Sequence, residues 1–456
     1  MLSVRSLYLM AVLLCLASSI SSAAESPVAE QVYQSRPKGE VTFNKHIAPI
    51  VFKHCAACHR PGEVAPIALL TYRDVQKRAG QIRTITGQKF MPPWKSVAGH
   101  GKFRDERRLS VEELGLIAQW AEEGATEGKP DDLPAAPQFT TGWRLGPPDL
   151  VLTMPEAYDV PADGPDIYRN FVLTVDIPKG KYIKAAEYRP GNRRVVHHAA
   201  LALDTPGTAR KLDAADPGPG FKGGLNIPGR LFPGSLAAWT PGRDPIPLPD
   251  GLSMPWPAGT DMILQLHLHP SGKPESERSQ VGIYLTDEAP RRSMIDLVLV
   301  DRRIDIPPGE KNYRTRDEFT LPADMLAFGL FPHMHMIGKE LKVTAHPPEG
   351  EPFSLLWIND WDFNWQNFYQ YAEPVKLGVG TRLVMECVHD NSAENPRNPG
   401  QPPRRVRWGE QSFDEMSAAI LQLVPENDAD LAKFASQRGR IIGGITAVPA
   451  AKTPEK

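Results

Sequence analysis

The chain has 456 residues, with 52 basic and 54 acidic side chains and a formal net charge of −2 at neutral pH. This near-neutral balance, without a long basic run, gives no electrostatic reason to expect nucleic acid or anionic lipid as a partner. The length allows two or three domains, and 46 prolines argue against long helices and for short strands joined by loops.

Residues 1–24 read as a secretory signal. Arg5 gives a positive start, Leu7 to Leu16 a short apolar stretch, and Ser21-Ser22-Ala23 small residues before a cut. The apolar run is too short to span a bilayer, and Leu14 is bulky where lipidation of Cys15 would want a small residue. No other uninterrupted apolar run reaches membrane length. The expectation is a soluble exported protein, periplasmic or secreted, without a membrane span. Beyond the signal only Cys55, Cys58 and Cys387 remain, so the fold does not rely on disulfides.

Residues 40–130 are expected to form a small all-α domain. In Cys55-Ala56-Ala57-Cys58-His59 two thiols three apart can add to the vinyl groups of haem, and the adjacent imidazole becomes the proximal iron ligand. A bare Cys-x-x-Cys also suits redox chemistry or a zinc half-site; the following His59 and the export signal favour covalent haem c. Ser110-Val111-Glu112-Glu113 is a capping box, Leu114, Ile117, Ala118 and Ala121 follow at helical spacing, and Gly124 supplies the stop. The whole segment resembles a small cytochrome c. Met91, in Phe90-Met91-Pro92-Pro93-Trp94, is the expected sixth ligand, with His100 the main alternative and His54 another. His46 and His54 read as surface or packing residues. A short Pro-rich linker, residues 131–148, limits how far the haem can lie from the rest of the chain.

From Val151 onward, alternating runs such as Phe171-Val172-Leu173-Thr174-Val175 and Met262-Ile263-Leu264-Gln265-Leu266, bounded by Pro, Gly and Asp, predict an all-β sandwich. Six of the twelve histidines fall here as His197-His198, His267-x-His269 and His333-x-His335. In His-x-His both rings share one strand face and can reach one ion; adjacent His197 and His198 can do so only where the strand twists or bulges. Any one of these pairs is weak alone, because a surface His pair is as common; three together suggest metal chemistry.

Several blocks then match a known family in order: Val196-His197-His198, Ala237-Ala238-Trp239, Leu264-Gln265-Leu266-His267-Leu268-His269-Pro270, His333-Met334-His335-Met336-Ile337-Gly338-Lys339 and Asp414-Glu415-Met416. The stretch from about Asp149 to Ala447 resembles the copper type II, ascorbate-dependent monooxygenases, which include dopamine β-monooxygenase and peptidylglycine α-hydroxylating monooxygenase. The resemblance implies two jelly-roll-like β-sandwich domains, residues 149–289 and 290–447, followed by a disordered tail at 448–456. It implies one copper in each domain, the two facing each other across an open cleft. His197, His198 and His267 would hold the electron-transfer copper; His333, His335 and Met416 would hold the catalytic copper. Without the resemblance Met416 reads as a core hydrophobe. His269 falls outside the ligand set and reads as a supporting or surface residue, and His389 as structural.

The departures from the family bear on substrate and reductant. Phe331, Ala418 and Ile420 stand where the peptide-hydroxylating enzymes carry an Arg, an Asn and a Tyr for a substrate carboxylate, so peptide amidation is not expected. Ser417 follows Met416 where the animal enzymes have a disulfide-bonded Cys, which leaves Cys387 as a buried thiol. The aromatic-rich region Trp357 to Tyr371 reads as strand core, with a cleft-lining role for one or two rings as the alternative. The expected function is an exported copper-dependent monooxygenase that hydroxylates a small organic substrate with O2. Electrons would be relayed by the covalent haem from an external donor, ascorbate or another redox protein. The alternatives are a haem and copper electron-transfer or copper-binding protein without hydroxylation, and a haem protein whose β domains are only a scaffold.

Overall fold

A computed structural model describes residues 32–446, apart from Val64, Thr141, Pro206, residues 225–229, residues 233–235 and Ala237. The signal read at residues 1–24 and the tail at 448–456 lie outside the described residues. The described chain is mostly β-sheet, with its larger helices near the N-terminal end, one short helix at Thr208–Ala215 in the first β region and a 3-10 segment at Asp428–Arg440.

The N-terminal α-helices run Ala48–His54, Tyr72–Gln76, Ala79–Gly87 and Val111–Glu122. Ser110 caps the last of them: its hydroxyl accepts from the Glu113 backbone N–H at 3.2 Å, and the Glu113 carboxylate accepts from the Ser110 N–H at 2.7 Å. Gly124 ends it at φ +95°, a conformation glycine reaches without a Cβ penalty. Thr71 and Asp74 form a second capping box. Phe43, Ile47, Val51, Leu116, Ile117 and Trp120 fill the core between the helices.

The first β region is built on an antiparallel sheet in the order Phe221–Lys222, Ile167–Thr174, Asp261–Leu268, Val196–Asp204 and Arg230–Leu231; Ala238–Trp239 also pairs with Val196–Asp204. A three-stranded sheet of Leu150–Thr153, Gln280–Thr286 and Tyr182–Arg189 covers one side of it. Phe171, Leu201, Leu264 and Leu266 from the first sheet share a core with Ile183, Val281 and Ile283 from the second. The second β region repeats the plan. A five-stranded sheet (Tyr369–Leu377, Met325–Met334, Ser417–Pro425, Met294–Val300, Ile441–Ile445) packs on a four-stranded one (Tyr313–Thr320, Arg382–His389, Gly338–His346, Phe353–Ile358). Leu330, Leu421 and Leu423 meet Leu341, Val343 and Met385 between them. The inward rows are residues two apart along each strand, although Asp261–Leu268 is buried on both faces, with Ile263 packing in a separate small cluster.

The helical segment is anchored to both β regions. After Met91 the chain extends along the second region: Val97 N–H donates to Trp357 O at 2.7 Å, Arg104 N–H to Gln370 O at 2.8 Å, and Lys102 O accepts from Ala372 N–H at 2.9 Å. Phe103 is buried among the rings of Trp94, Tyr369 and Tyr371. On the side of the first region, Glu63 meets Arg193 at 3.0 Å and Arg144 at 3.4 Å. Arg107 donates to Gly242 O at 2.6 Å.

Candidate metal centres and haem-attachment motif

His197 and His198 lie at the start of Val196–Asp204, where the ladder with Asp261–Leu268 slips: Val196 pairs with Leu268, but His198 pairs with His267. His197 is the extra residue of a bulge, which turns two adjacent imidazoles toward one point. The Nδ1 atoms of His197 and His198 are 3.3 Å apart, and those of His198 and His267 are 3.2 Å apart. All three residues offer ring nitrogens within 4.8 Å of one another. Two nitrogens each about 2.0 Å from one tetrahedral ion are separated by about 3.3 Å, so the spacing fits a shared metal.

The surroundings keep these rings neutral and oriented. Burial, with the neighbouring His267, brings His197 down to about 3 and lowers His198 well below its ordinary value; a neutral imidazole has the lone pair a metal needs. Asp166 lies 2.9 Å from His267 Nε2 and 2.7 Å from His269 Nδ1, and accepts from the Ser412 hydroxyl at 2.5 Å. Burial raises the Asp166 carboxyl, but these bonds outweigh it and hold the group well below the usual carboxylate range. With Nε2 turned to Asp166, His267 presents Nδ1 to the other two rings. Tyr168 stacks on the His267 ring at 4.3 Å. His269 is exposed and takes part only through Asp166.

The second set sits at the end of Met325–Met334. Register places His333 opposite Ala418 and Met334 opposite Ser417, which puts His335 and Met416 at neighbouring positions just past the ends of the two strands. The His333 and His335 rings are 5.1 Å apart and nearly perpendicular. Gln366 Oε1 lies 2.6 Å from His333 Nδ1 and Asp414 O lies 3.2 Å from His335 Nδ1, leaving both Nε2 atoms available. Burial brings His333 down to about 4 and lowers His335 as well. Behind them the fully buried Glu415 accepts from His335 N–H at 2.5 Å and Met416 N–H at 2.8 Å. His389 faces its other oxygen at 3.6 Å, an electrostatic contact longer than a hydrogen bond. Burial pushes the Glu415 carboxyl up; His389 and the His335 N–H together bring it below its ordinary value. The donor set fits copper, since imidazoles suit both oxidation states and a thioether favours the reduced one.

The resemblance implied two centres facing each other across an open cleft; His197, His198 and His333 are each partly exposed, and one aromatic ring touches both sets. Phe363 stands between them, its ring stacked on His197 at 5.1 Å and edge-on to His335 at 5.8 Å. His333 and His335 also contribute to the lowering of His198. The aromatic region is therefore only partly strand core. Trp361, Tyr369 and Tyr371 are buried, whereas Phe363 and Gln366 sit in a loop against the histidines. Asp166, Glu415, Phe363 and Gln366 carried no role in the sequence reading. No local pattern singles them out: Asp362-Phe363-Asn364-Trp365-Gln366 alternates polar and apolar as a strand does.

Cys55 and Cys58 are free thiols in the turn after Ala48–His54. Burial, with Cys58 alongside, pushes the Cys55 thiol up to about 12. His59 Nδ1 lies 3.2 Å from Ile67 O, which leaves Nε2 as the free donor. Two thiols and an imidazole so held fit a covalently attached haem. Met91 is half-buried on the loop after Ala79–Gly87. The two alternative ligands have other partners: the His100 ring packs against Trp357 at 4.7 Å, and His54 Nε2 pairs with Glu113 at 3.0 Å. Cys58 lies beside the loop after Ala238–Trp239, where a Cβ at Gly242 would come within 3.6 Å of its Sγ. Trp239 in turn pairs with Ala199, next to His198. Cys387 is a buried thiol, raised to about 12 by burial. A cavity of about 250 Å³ near Glu63, Arg144, Arg193 and Trp239 is lined by ion pairs and holds none of the candidate ligands.

Among the described residues no helix is long and apolar enough to cross a membrane. No protein-family profile matches the chain. Over 97 residues it is 29% identical to DBH-like monooxygenase protein 1 of Mus musculus, a match covering 19% of this chain and 16% of that protein's length. Solved structures of the infectious bursal disease virus VP2 subviral particle and of the Gx strain of that virus each align with 60% of this chain and 71% of theirs. Both alignments have 10% identity and a TM-score of 0.19, too low to carry an argument. The chain is thus a largely β protein with a distant, partial similarity to a monooxygenase.

Proposed function

We propose that the chain is an exported copper-dependent monooxygenase that hydroxylates a small organic substrate with O2 and carries its own c-type haem. The observation that carries this reading is the pairing of two histidine sets, one with three converging nitrogens and one beside Met416. His197, His198 and His267 would hold one copper; His333, His335 and Met416 would hold the other. Cys55, Cys58, His59 and Met91 would hold the haem. When bound, these groups supply O2 activation and one-electron transfer. The finer fold reading belongs here too: a cytochrome c domain at residues 40–130 and jelly-roll-like copper domains at 149–289 and 290–447.

The chain's own residues orient the donors and choose the substrate. Asp166, Gln366 and the Asp414 carbonyl fix which nitrogen His267, His333 and His335 present. Phe331 pairs with Ile420 and stacks on His333 at 6.3 Å, while Ala418 lies opposite His333. These apolar neighbours favour an uncharged C–H substrate over a carboxylate. Cys58 beside Gly242, and Trp239 beside Ala199, support relay of electrons from the haem edge toward His198. An external donor, ascorbate or a redox protein, would refill the haem.

The test is O2 uptake by haem- and copper-loaded protein against a panel of uncharged aromatic and aliphatic substrates. Uptake matched by hydroxylated product, with copper-dependent reoxidation of reduced haem, is expected. Copper-loaded protein that exchanges electrons but consumes no O2 with any substrate would instead leave an electron-transfer or copper-binding protein.

A further inference from the structure

The cavity beside Trp239 belongs to neither histidine set nor the haem-attachment motif. It holds about 250 Å³ and lies where the turn after His59, the Pro-rich linker and the first β region meet. Its guanidiniums come from all three: Arg60, then Arg144 of the linker, then Arg189, Arg193 and Arg243. Against these five stand three carboxylates, Glu63, Glu187 and Asp244, which leaves an excess of two positive charges. At roughly 30 Å³ per water the cavity has room for about eight, or for an organic molecule of about eight to ten heavy atoms.

The three carboxylates are already committed. Glu63 is shared by Arg60 at 2.8 Å, Arg193 at 3.0 Å and Arg144 at 3.4 Å, so one negative charge serves three positive ones. Glu187 is buried and accepts from the N–H groups of Arg144 and Leu145 at 2.8 and 3.1 Å and from the Tyr284 hydroxyl at 3.0 Å. Asp244 is exposed and pairs with Arg144. Arg189 makes no ion pair among the described residues; its guanidinium lies over the Trp143 ring at 4.8 Å, a cation–π contact that orients it. Like charges gathered in a recess repel one another, and a bound anion relieves that repulsion. Ala199, Leu201, Leu236 and Trp239 supply an apolar wall, which an organic body covers and an inorganic ion does not.

We propose that this cavity is a binding site for a small organic acid, its carboxylate held by Arg189 and the guanidiniums around Glu63, and its carbon body set against Leu201, Leu236 and Trp239. Arginine suits the task, because its planar fork meets a carboxylate with two parallel charge-assisted bonds. The ligand differs in kind from the uncharged C–H substrate of the second histidine set, and the inference does not rest on either copper. A bound acid would touch both the turn after His59 and the strand that carries His198.

The test is isothermal titration calorimetry of full-length, haem-loaded protein with benzoate and succinate, and with benzamide as the uncharged control. Wild type is expected to bind at least one of the acids at a single site, more weakly as salt rises, and to give no heat with benzamide. Arg189→Gln removes a guanidinium that stands outside the ion pairs; it should weaken binding about tenfold or more while the circular dichroism stays that of wild type. Glu63→Gln frees three guanidiniums from their shared carboxylate and should tighten binding, a sign that a damaged fold would not give. Wild type that binds neither acid would overturn the site, including the case in which the carboxylates of the haem itself already fill it. Equal affinity for benzoate and benzamide, or Arg189→Gln binding as wild type does, would overturn it as well.

Discussion

Glu415 offers the sharpest perturbation of the second histidine set that leaves every candidate ligand in place. Its side chain is fully buried, and one oxygen accepts from both the His335 and the Met416 backbone N–H. Glu415→Ala strands two buried donors at about 1–3 kcal/mol each and opens a void, for a total of roughly 3–6 kcal/mol. Glu415→Gln keeps an acceptor but turns two charge-assisted bonds into neutral ones. That costs about 1 kcal/mol per bond, or ~2 kcal/mol in all. Urea unfolding followed by near-ultraviolet circular dichroism measures both. Because the carboxylate ties the strand end bearing His335 to the residue bearing the thioether, copper affinity at that set should fall while the set at His197 is unchanged. Glu415→Ala within about 1 kcal/mol of wild type, or equal weakening of the two sets, would refute the reasoning.

Other perturbations test separate parts of the structure. Cys58→Ser should leave a single thioether, moving the α-band of the pyridine haemochrome to longer wavelength; an unmoved band would mean Cys58 does not attach haem. Arg169 forks onto Asp216 at 2.9 and 3.1 Å, and that bond holds the Asp216 carboxyl down at about 2. A depressed folded value stabilises above the ordinary carboxylate range and is lost as pH falls toward about 2. Asp216→Asn should therefore be less stable than wild type at neutral pH, with the two curves converging in acid; a gap independent of pH would contradict this. Phe103→Ala removes a buried ring that fastens the helical segment to the second β region. It should cost about 3–5 kcal/mol and expose residues 94–104 to protease, and a variant as resistant as wild type would count against that anchor.

What was legible in the sequence was local and periodic. The capping box at Ser110, the Gly124 stop and strands such as Asp261–Leu268 follow from spacing alone, because those signals act between residues a few positions apart. Gathering of His197, His198 and His267 needed a bulge, a condition visible in the tandem histidines but settled only by register with the neighbouring strand. The orienting groups were out of reach. Asp166 lies about a hundred positions from His267 and Glu415 acts through backbone N–H groups, so neither leaves a pattern in the chain. The anchoring of residues 94–104 on the second region was equally hidden, since an extended segment reads as loop until its partner is known. The aromatic run from Trp357 to Tyr371 allows strand core or one or two cleft-lining rings, and only the fold shows that Phe363 is the ring that faces imidazoles.

The most direct measurement is elemental analysis of purified, haem-loaded and copper-reconstituted protein, reported as copper per iron. About two coppers per haem iron is the expected result, with His267→Ala and His333→Ala each losing about one copper while keeping the β-sheet circular dichroism of wild type. Copper near zero beside a full complement of iron would contradict the two-centre assignment and leave a haem protein with a β-sheet scaffold.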